Sequence, residues 1–416
     1  MSHLLMIESW VGGTGRILPE AILAAGHRYT FVARRPEHYD GGTETHPVLR
    51  HAARVVRLET NDTASLLEAL KRLHREDPFD GVLSICDYYL DTVVRVAEAL
   101  RVPHPFPRAI ALERRKHLVR RALDAAGIPN PRYELTDSWD ATQAAAATIG
   151  YPVIIKPTDL ASSAHVRLVR SEGELAESFA ALESFPRNFR DQPREPVYLL
   201  EEYLGGEEVS VETCTVAGDT TVLGVTDKSL TGAPFFIEDG HMFPAALPEG
   251  TSAALEGFAT DVLRAVGHDQ GVAHIEVKLT AAGPRLIEIN PRLAGNYIVE
   301  LIRRVTGVDL LQVTIDLALG RRPSLAAAPA GARSAAIKFL IPSHGGLVRE
   351  IRGTARLGAN PRVQRWHMDG VEGKRVAPPV DNACYLGHVV AVDSEGFGAR
   401  AFAEEAVGSL EVVLER

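Results

Sequence analysis

The sequence predicts a mixed α/β and α+β protein: a parallel α/β unit comes first, and antiparallel and small α+β units follow. Two observations lead there. Strand and helix alternate through about residue 100, and period-two strands then take over, most clearly in His274–Asn296. Alternating strands and helices imply parallel βαβ units, whereas two alternating runs across a short turn imply a hairpin.

In order, LLMIES is a strand, VGGTG a loop, RILPEAILAAG a helix and YTFVAR a second strand. A loop over Asp40–Leu49, the strand RVVRLE, the helix DTASLLEALKRLHRE capped by Asp62, the buried strand GVLSICD and the helix YYLDTVVRVAEAL follow. Gly12-Gly13-Thr14-Gly15 lies where a doubly wound fold binds phosphate, but it is not G-x-G-x-x-G. It reads as a tight turn, with a ligand-facing loop as the alternative. Pro103–Pro107 breaks the pattern, and one helix, IALERRKHLVRRALDAAG, runs to a C-cap at Gly127.

Lys116 sits in that basic helix and by itself reads as one more solvated charge. Lys156 is different, because it closes the apolar strand YPVIIKP. A buried amine needs an anion, and a nucleotide phosphate is one candidate. The loop behind it, TDLASSAHVRLV, brings hydroxyls and small side chains but no glycine. VYLLEEYLGGEEVSVETCTV is a strand, a connector and a second strand. The connector Glu201-Glu202-Tyr203-Leu204 offers backbone groups to a purine edge, and an acid a few residues on suits ribose hydroxyls. An ordinary charged turn is the alternative. TTVLGVTDK then delivers Lys228, and GHMFPA places His241 before an extended loop.

HIEVKL and RLIEIN flank the turn Ala281-Ala282-Gly283-Pro284. A hairpin symmetric about Ala282 pairs Glu276 with Glu288 and His274 with Asn290, and puts Arg292 just beyond. Two carboxylates about 5 Å apart repel unless a cation lies between them. An oxygen set that leaves room for water and phosphate suits Mg²⁺ rather than zinc. Taken alone, the same face also reads as solvated surface charge. After Leu319, GRRPSLAAAPAGA is a linker, and SAAIKFLIPSHGGLVREIRG through the final helix forms a small α+β unit whose His367 and His388 are structural or solvated.

Composition narrows the function classes. At 416 residues the chain holds several domains, and its net charge of −9 argues against a general nucleic-acid or membrane surface. Three scattered cysteines form no disulfide framework, and the N-terminal apolar run is too short for a signal or span, so a cytoplasmic protein is expected.

The order Lys116, VIIKP, EEYLGGEEVSVE, Lys228, GHMFPA and EINPRLAG resembles the ATP-grasp superfamily of carboxylate–amine ligases, and within it the bacterial L-amino acid ligases. The resemblance implies an ATP-grasp fold divided as 1–112 (N-terminal α/β), 113–204 (central lid), 205–330 (catalytic) and 331–416 (C-terminal α+β). It implies ATP and Mg²⁺, with Mn²⁺ as a substitute, small-molecule acid and amine substrates, and a homodimer. Lys116 and Lys156 would contact phosphates, with Lys156 also near the adenine. Ser163 would lie in the phosphate loop. Glu201 and the backbone of Glu202 and Leu204 would meet the adenine beside Tyr203, and Glu208 the ribose. Lys228 would approach the γ-phosphate, and Glu276, Glu288 and Asn290 would hold the metal. Arg292 would stabilise the acyl phosphate and tetrahedral intermediate, with His241 near the reacting carboxylate.

The product expected is an amide between two amino acids. A ligase for another carboxylate is the alternative, and a non-catalytic nucleotide-binding protein the remote one. Two positions depart from the pattern: His165 stands near an expected glycine, and Gly295-Asn296 replaces a double glycine.

Overall fold

The first three apolar runs become parallel strands because each is flanked by a helix that covers one sheet face. In the computed structural model, which describes residues 1–40, 45–231, 235–328 and 330–415, they are β1 (His3–Ile7), β2 (Arg28–Ala33) and β3 (Arg54–Arg57). With β4 (Gly81–Leu83) they form a parallel sheet in the order β3-β2-β1-β4. Asp62 caps the helix Thr63–Glu76 by accepting from the amides of Ala64 and Ser65. The predicted loop Asp40–Leu49 and the predicted linker after Leu319 each fall partly outside the described residues.

The helix expected over residues 110–127 is two. Ile110–Glu113 and Lys116–Ala125 are separated at Arg114-Arg115, and the Lys116 amide donates to the Thr158 carbonyl at 3.2 Å. The break turns the start of the second helix inward.

A small antiparallel sheet follows, ordered β5 (Tyr133–Thr136), β8 (Tyr198–Glu202), β6 (Val153–Pro157), β7 (Arg167–Val169). It packs on the helices Trp139–Ile149 and Glu172–Glu183 with a core of its own, including Ala146, Val153, Leu175 and Leu200. A unit with a separate core moves as a body more readily than one sharing its neighbours' core.

The largest sheet has eight strands: β9 (Glu207–Val216), β10 (Asp219–Leu230), β11 (Glu238–Phe243), β12 (Gly271–Thr280), β13 (Gly283–Asn290), β14 (Ser334–Leu340), β16 (Val363–Met368) and β18 (Gly387–Asp393), ordered β13-β12-β9-β10-β11-β14-β18-β16. It runs unbroken into the C-terminal segment through the antiparallel pairing of β11 with β14. β15 (Gly346–Arg352), β17 (Arg375–Val376) and β19 (Glu411–Glu415) make a third antiparallel sheet. One hydrophobic core joins the parallel sheet to the helices Ile298–Thr306 and Leu310–Ala318 and to β14. Among the described residues no helix is long and apolar enough to cross a membrane.

Candidate active site

Period-two alternation builds the site floor. Val209 and Val211 of β9, Val225 of β10, Ile275 and Val277 of β12 and Ile289 of β13 all enter one core. Their neighbours Glu208, Ser210, Lys228, Glu276, Glu288 and Asn290 therefore face the other way. Strand register sets them side by side: Glu276 lies between Ser210 and Glu288, and His274 between Glu212 and Asn290.

The Glu276–Glu288 and His274–Asn290 pairings are those expected, but the hairpin is not the symmetric one. The turn is the tighter Ala281-Ala282, closed by Thr280 opposite Gly283, and a bulge at Ile287 shifts the register by one. Without the extra residue, Leu286 and Glu288 share a face. With it, Leu286 is buried in the core while Glu288 lines the cleft.

Above this floor the small sheet closes a cleft. Lys116, Lys156, Ser163, Glu201, Glu202, Tyr203, Leu204, Glu208, Lys228, Glu276 and Glu288 all line it. Asn290, Arg292 and His241 join it through contacts. Asn290 Nδ2 donates to Glu276 Oε1 at 3.2 Å, Arg292 Nη2 donates to Asn290 Oδ1 at 3.2 Å, and His241 Nε2 lies 3.3 Å from Glu238 Oε2.

Three expectations are corrected. Lys116 is not a solvated charge: it is 8% exposed, its Nζ donates to the Leu160 carbonyl at 2.9 Å and lies 2.7 Å from Glu288 Oε1. Glu201 and Glu202 belong to β8, so the connector is Tyr203–Gly206. A Cβ on Gly206, at φ +122°, would stand 2.0 Å from the Leu279 carbonyl oxygen, which explains the glycine. The Glu201 carboxylate is paired within the chain at the wall of the cleft; one oxygen accepts from Arg120 Nε at 2.7 Å and the other lies 2.6 Å from Lys156 Nζ. Burial would raise its pKa, but those two cations outweigh burial and hold it at about 2. Glu201 thus orients Lys156. The Glu202 amide is also spent, on the Arg132 carbonyl at 2.9 Å.

The phosphate-loop segment keeps a backbone that glycine favours, with Ser162, Ser163 and His165 at φ of 61°, 54° and 59°. His165 therefore occupies the glycine-like conformation at the cost of some strain.

Sequence reasoning missed several partners. Lys228 Nζ meets Glu208 at 2.8 Å, Glu276 at 2.6 Å and Glu238 at 3.2 Å. Burial opposes its charge, but the three carboxylates outweigh burial and lift its pKa well above the usual lysine value. Arg120, 1% exposed, also donates Nη2 to the Ile287 carbonyl at 3.0 Å, which ties the bulge to Glu201. Asn296 donates to Glu238 at 2.7 Å. Asp87 accepts from Arg292 Nε at 2.8 Å. Arg120 and Asp87 have no local signal, since the partners Glu201 and Arg292 lie 81 and 205 residues away; Glu238 sits three residues before His241, a spacing that could have marked it.

The donor set fits a hard divalent cation. Among the described residues no three His, Cys, Asp or Glu side chains gather as a metal cage. The oxygens on offer are those of Glu276, Glu288 and the Asn290 amide, which leave places for water and phosphate.

Aromatic groups gather beside His241, whose ring lies 6.4 Å from that of Phe339. Phe339 stacks on Tyr385 at 4.1 Å, and Tyr297 lies 4.5 Å from His388. Burial pushes His388 down to about 4. A depressed histidine costs nothing above its unfolded pKa near 6.5 and loses stability as pH falls from there through about 4. At 1.36 kcal/mol per unit this reaches about 3 kcal/mol. Urea midpoints measured from pH 7 to pH 4 should fall less steeply for His388→Gln than for the wild type.

Comparison with known proteins gives a consistent likeness. Residues 149–300 match the family model for the ATP-grasp domain, residues 20–104 that for the ATP-grasp N-terminal domain, and residues 338–415 that for the L-amino acid ligase C-terminal domain 2. An uncharacterised protein of Sinorhizobium fredii is 29% identical, over 98% of this chain and 82% of its own length. Carnosine synthase 1 of Gallus gallus is 30% identical over 82% of this chain, which spans only 38% of that relative's length. The crystal structure of an L-amino acid ligase from Bacillus licheniformis shares the fold at a TM-score of 0.83 and 22% identity, covering 100% of this chain and 99% of its own.

Proposed function

This chain belongs to the ATP-grasp superfamily of ATP-dependent carbon–nitrogen ligases, and from that premise we propose that it joins two amino acids, or an amino acid and a close analogue, into an amide. The observation that carries the reading is the Glu276–Glu288–Asn290 patch opening into a cleft ringed by Lys116, Lys156 and Lys228, with Arg292 beside it. The C-terminal match to L-amino acid ligases and the likeness to a carnosine synthase support amino-acid substrates.

A carboxylate is a poor electrophile, so its oxygen first attacks the γ-phosphorus of ATP and ADP leaves. The amine nitrogen then attacks the acyl carbon, phosphate departs with the bonding pair, and the nitrogen gives up its proton. Such transfers depend on positioning and charge neutralisation rather than on an enzyme nucleophile. Glu276, Glu288 and Asn290 would hold Mg²⁺, which when bound neutralises phosphate charge. Lys116 and Lys156 face the same cleft and bind phosphate oxygens, with Glu201 fixing Lys156 in place. Lys228 is held charged by three carboxylates and meets the transferring group. Arg292 stabilises the oxygen that becomes negative when the amine adds. His241, 3.2 Å from Asn296, lies toward the acid's binding end. The small sheet with its own core covers the nucleotide and keeps water from the acyl phosphate.

The test is ADP release, with Mg²⁺ and ATP, across a matrix of amino acids offered as acid and as amine. Release that requires two amino acids, with the dipeptide found by mass spectrometry, is expected. Release only with non-amino-acid carboxylates would replace the reading with a ligase for a different acid.

A further inference from the structure

Arg292 owes its orientation to a residue of another unit. Its Nη1 donates to the Leu293 carbonyl on its own loop and its Nη2 to Asn290, the last residue of β13. The Nε donates at 2.8 Å to Asp87 Oδ1, on the short helical turn Asp87–Tyr89 beyond β4 of the parallel sheet. The other Asp87 oxygen accepts from Trp10 Nε1 at 2.9 Å. Trp10 in turn faces the Arg190 guanidinium, 5.5 Å from its ring.

Arg190 belongs to the lid. Its segment docks on the parallel-sheet unit by named bonds: Arg34 Nη2 to Asp191 at 2.7 Å, Asn61 Nδ2 to the Arg190 carbonyl at 2.9 Å, and Gln192 Nε2 to the Tyr88 carbonyl at 3.1 Å. Arg190 itself is 8% exposed and donates to the Ser9 carbonyl. Leu160 and Ala164 of the phosphate-loop segment pack in a cluster with Tyr88 and Trp10. Both lid elements thus land on Trp10, which donates to Asp87.

We propose that Asp87 is a positioning residue for Arg292, and that the Arg190–Trp10 contact makes this positioning depend on the lid being docked. The inference rests on the ligase reading, which gives Arg292 its role. Physically, a guanidinium held only by its own loop is free to swing, and an error of about 1 Å at a charge-stabilising group costs up to about a hundredfold in rate. Asp87 touches neither the three carboxylates around Lys228 nor Glu288 and reaches that patch through Arg292 and Asn290, so its loss is expected in turnover ahead of nucleotide binding.

The experiment uses the full chain with Mg²⁺, ATP, a pool of the twenty amino acids, and hydroxylamine as the amine, reading hydroxamate and ADP. If the wild type gives neither, the ligase reading fails, and the positioning inference falls with it. If it turns over, Asp87→Asn should lower kcat by about tenfold to a hundredfold, with KM for ATP within about twofold and the thermal midpoint kept. Trp10→Phe, which removes only the Nε1 donor, should lower kcat several-fold, and it serves as the test if Asp87→Asn does not fold. Arg190→Gln should lower kcat in the same way, and the Asp87→Asn/Arg190→Gln pair should be no worse than Asp87→Asn alone. Unchanged kcat in Asp87→Asn, or KM for ATP rising in step with the loss, would overturn the positioning role. Multiplying losses in the double variant would overturn its dependence on the lid.

Discussion

Glu288→Ala should abolish ADP formation, with a loss in turnover of at least about a hundredfold. Glu288 faces Glu276 across the hairpin, and its carboxylate is the partner of the buried Lys116 amine at 2.7 Å. Removing it takes one oxygen from the proposed metal site and leaves Lys116 without its anion. Glu288→Gln separates the two effects, because it keeps the side-chain volume while removing the charge. Coupled-enzyme measurement of ADP decides the matter, and unchanged turnover in either variant would contradict the metal assignment.

Arg292→Ala should cost about a hundredfold to a thousandfold in turnover while ATP affinity changes by no more than a few-fold. The guanidinium is tied to Asp87, Asn290 and the Leu293 carbonyl and is not among the residues lining the cleft proposed for the nucleotide. An interaction made only as charge develops lowers kcat and kcat/KM together. Calorimetric titration of ATP set beside steady-state rates distinguishes this from a binding role. Equal loss of affinity and rate would argue against the assignment.

Short-range patterns carried much of the fold. The βαβ rhythm predicts the parallel sheet found over β1 to β4, and period-two alternation predicts which side of β9, β12 and β13 faces the cleft. The carboxylate pairing was legible too, although the bulge at Ile287 that delivers it was not. A symmetric wide turn and a tight turn plus one extra residue give the same register at Glu276 and Glu288, so the pattern does not separate them.

Taken by itself, Lys116 reads as a solvated charge for a different reason. Among five basic residues on one helical stretch nothing local marks the one that turns inward, and the break at Arg114-Arg115 goes with the hydrogen bond that the Lys116 amide donates to the Thr158 carbonyl, 42 positions on. The ion pairs of Glu201 are hidden from the sequence because its partner Arg120 lies 81 positions earlier, in what reads as a surface helix. Asp87 is hidden likewise: it is an ordinary acid in its own neighbourhood and gains its role from Arg292, delivered by the segment after β13.

The eight-stranded sheet has a consequence for where this chain tolerates cutting. The central family match ends at residue 300, and the alanine- and proline-rich stretch after residue 319 looks like a seam. Yet Gly240–Phe243 hydrogen-bond along their length to Ala335–Lys338 on the far side of it. A fragment stopped at the seam would carry a raw strand edge beside Lys228 and His241, with the sticky, self-associating character of any uncapped ladder. Domain-swap chimeras that exchange the C-terminal segment must therefore carry β11 along with it, or inherit a partner strand matched to its backbone.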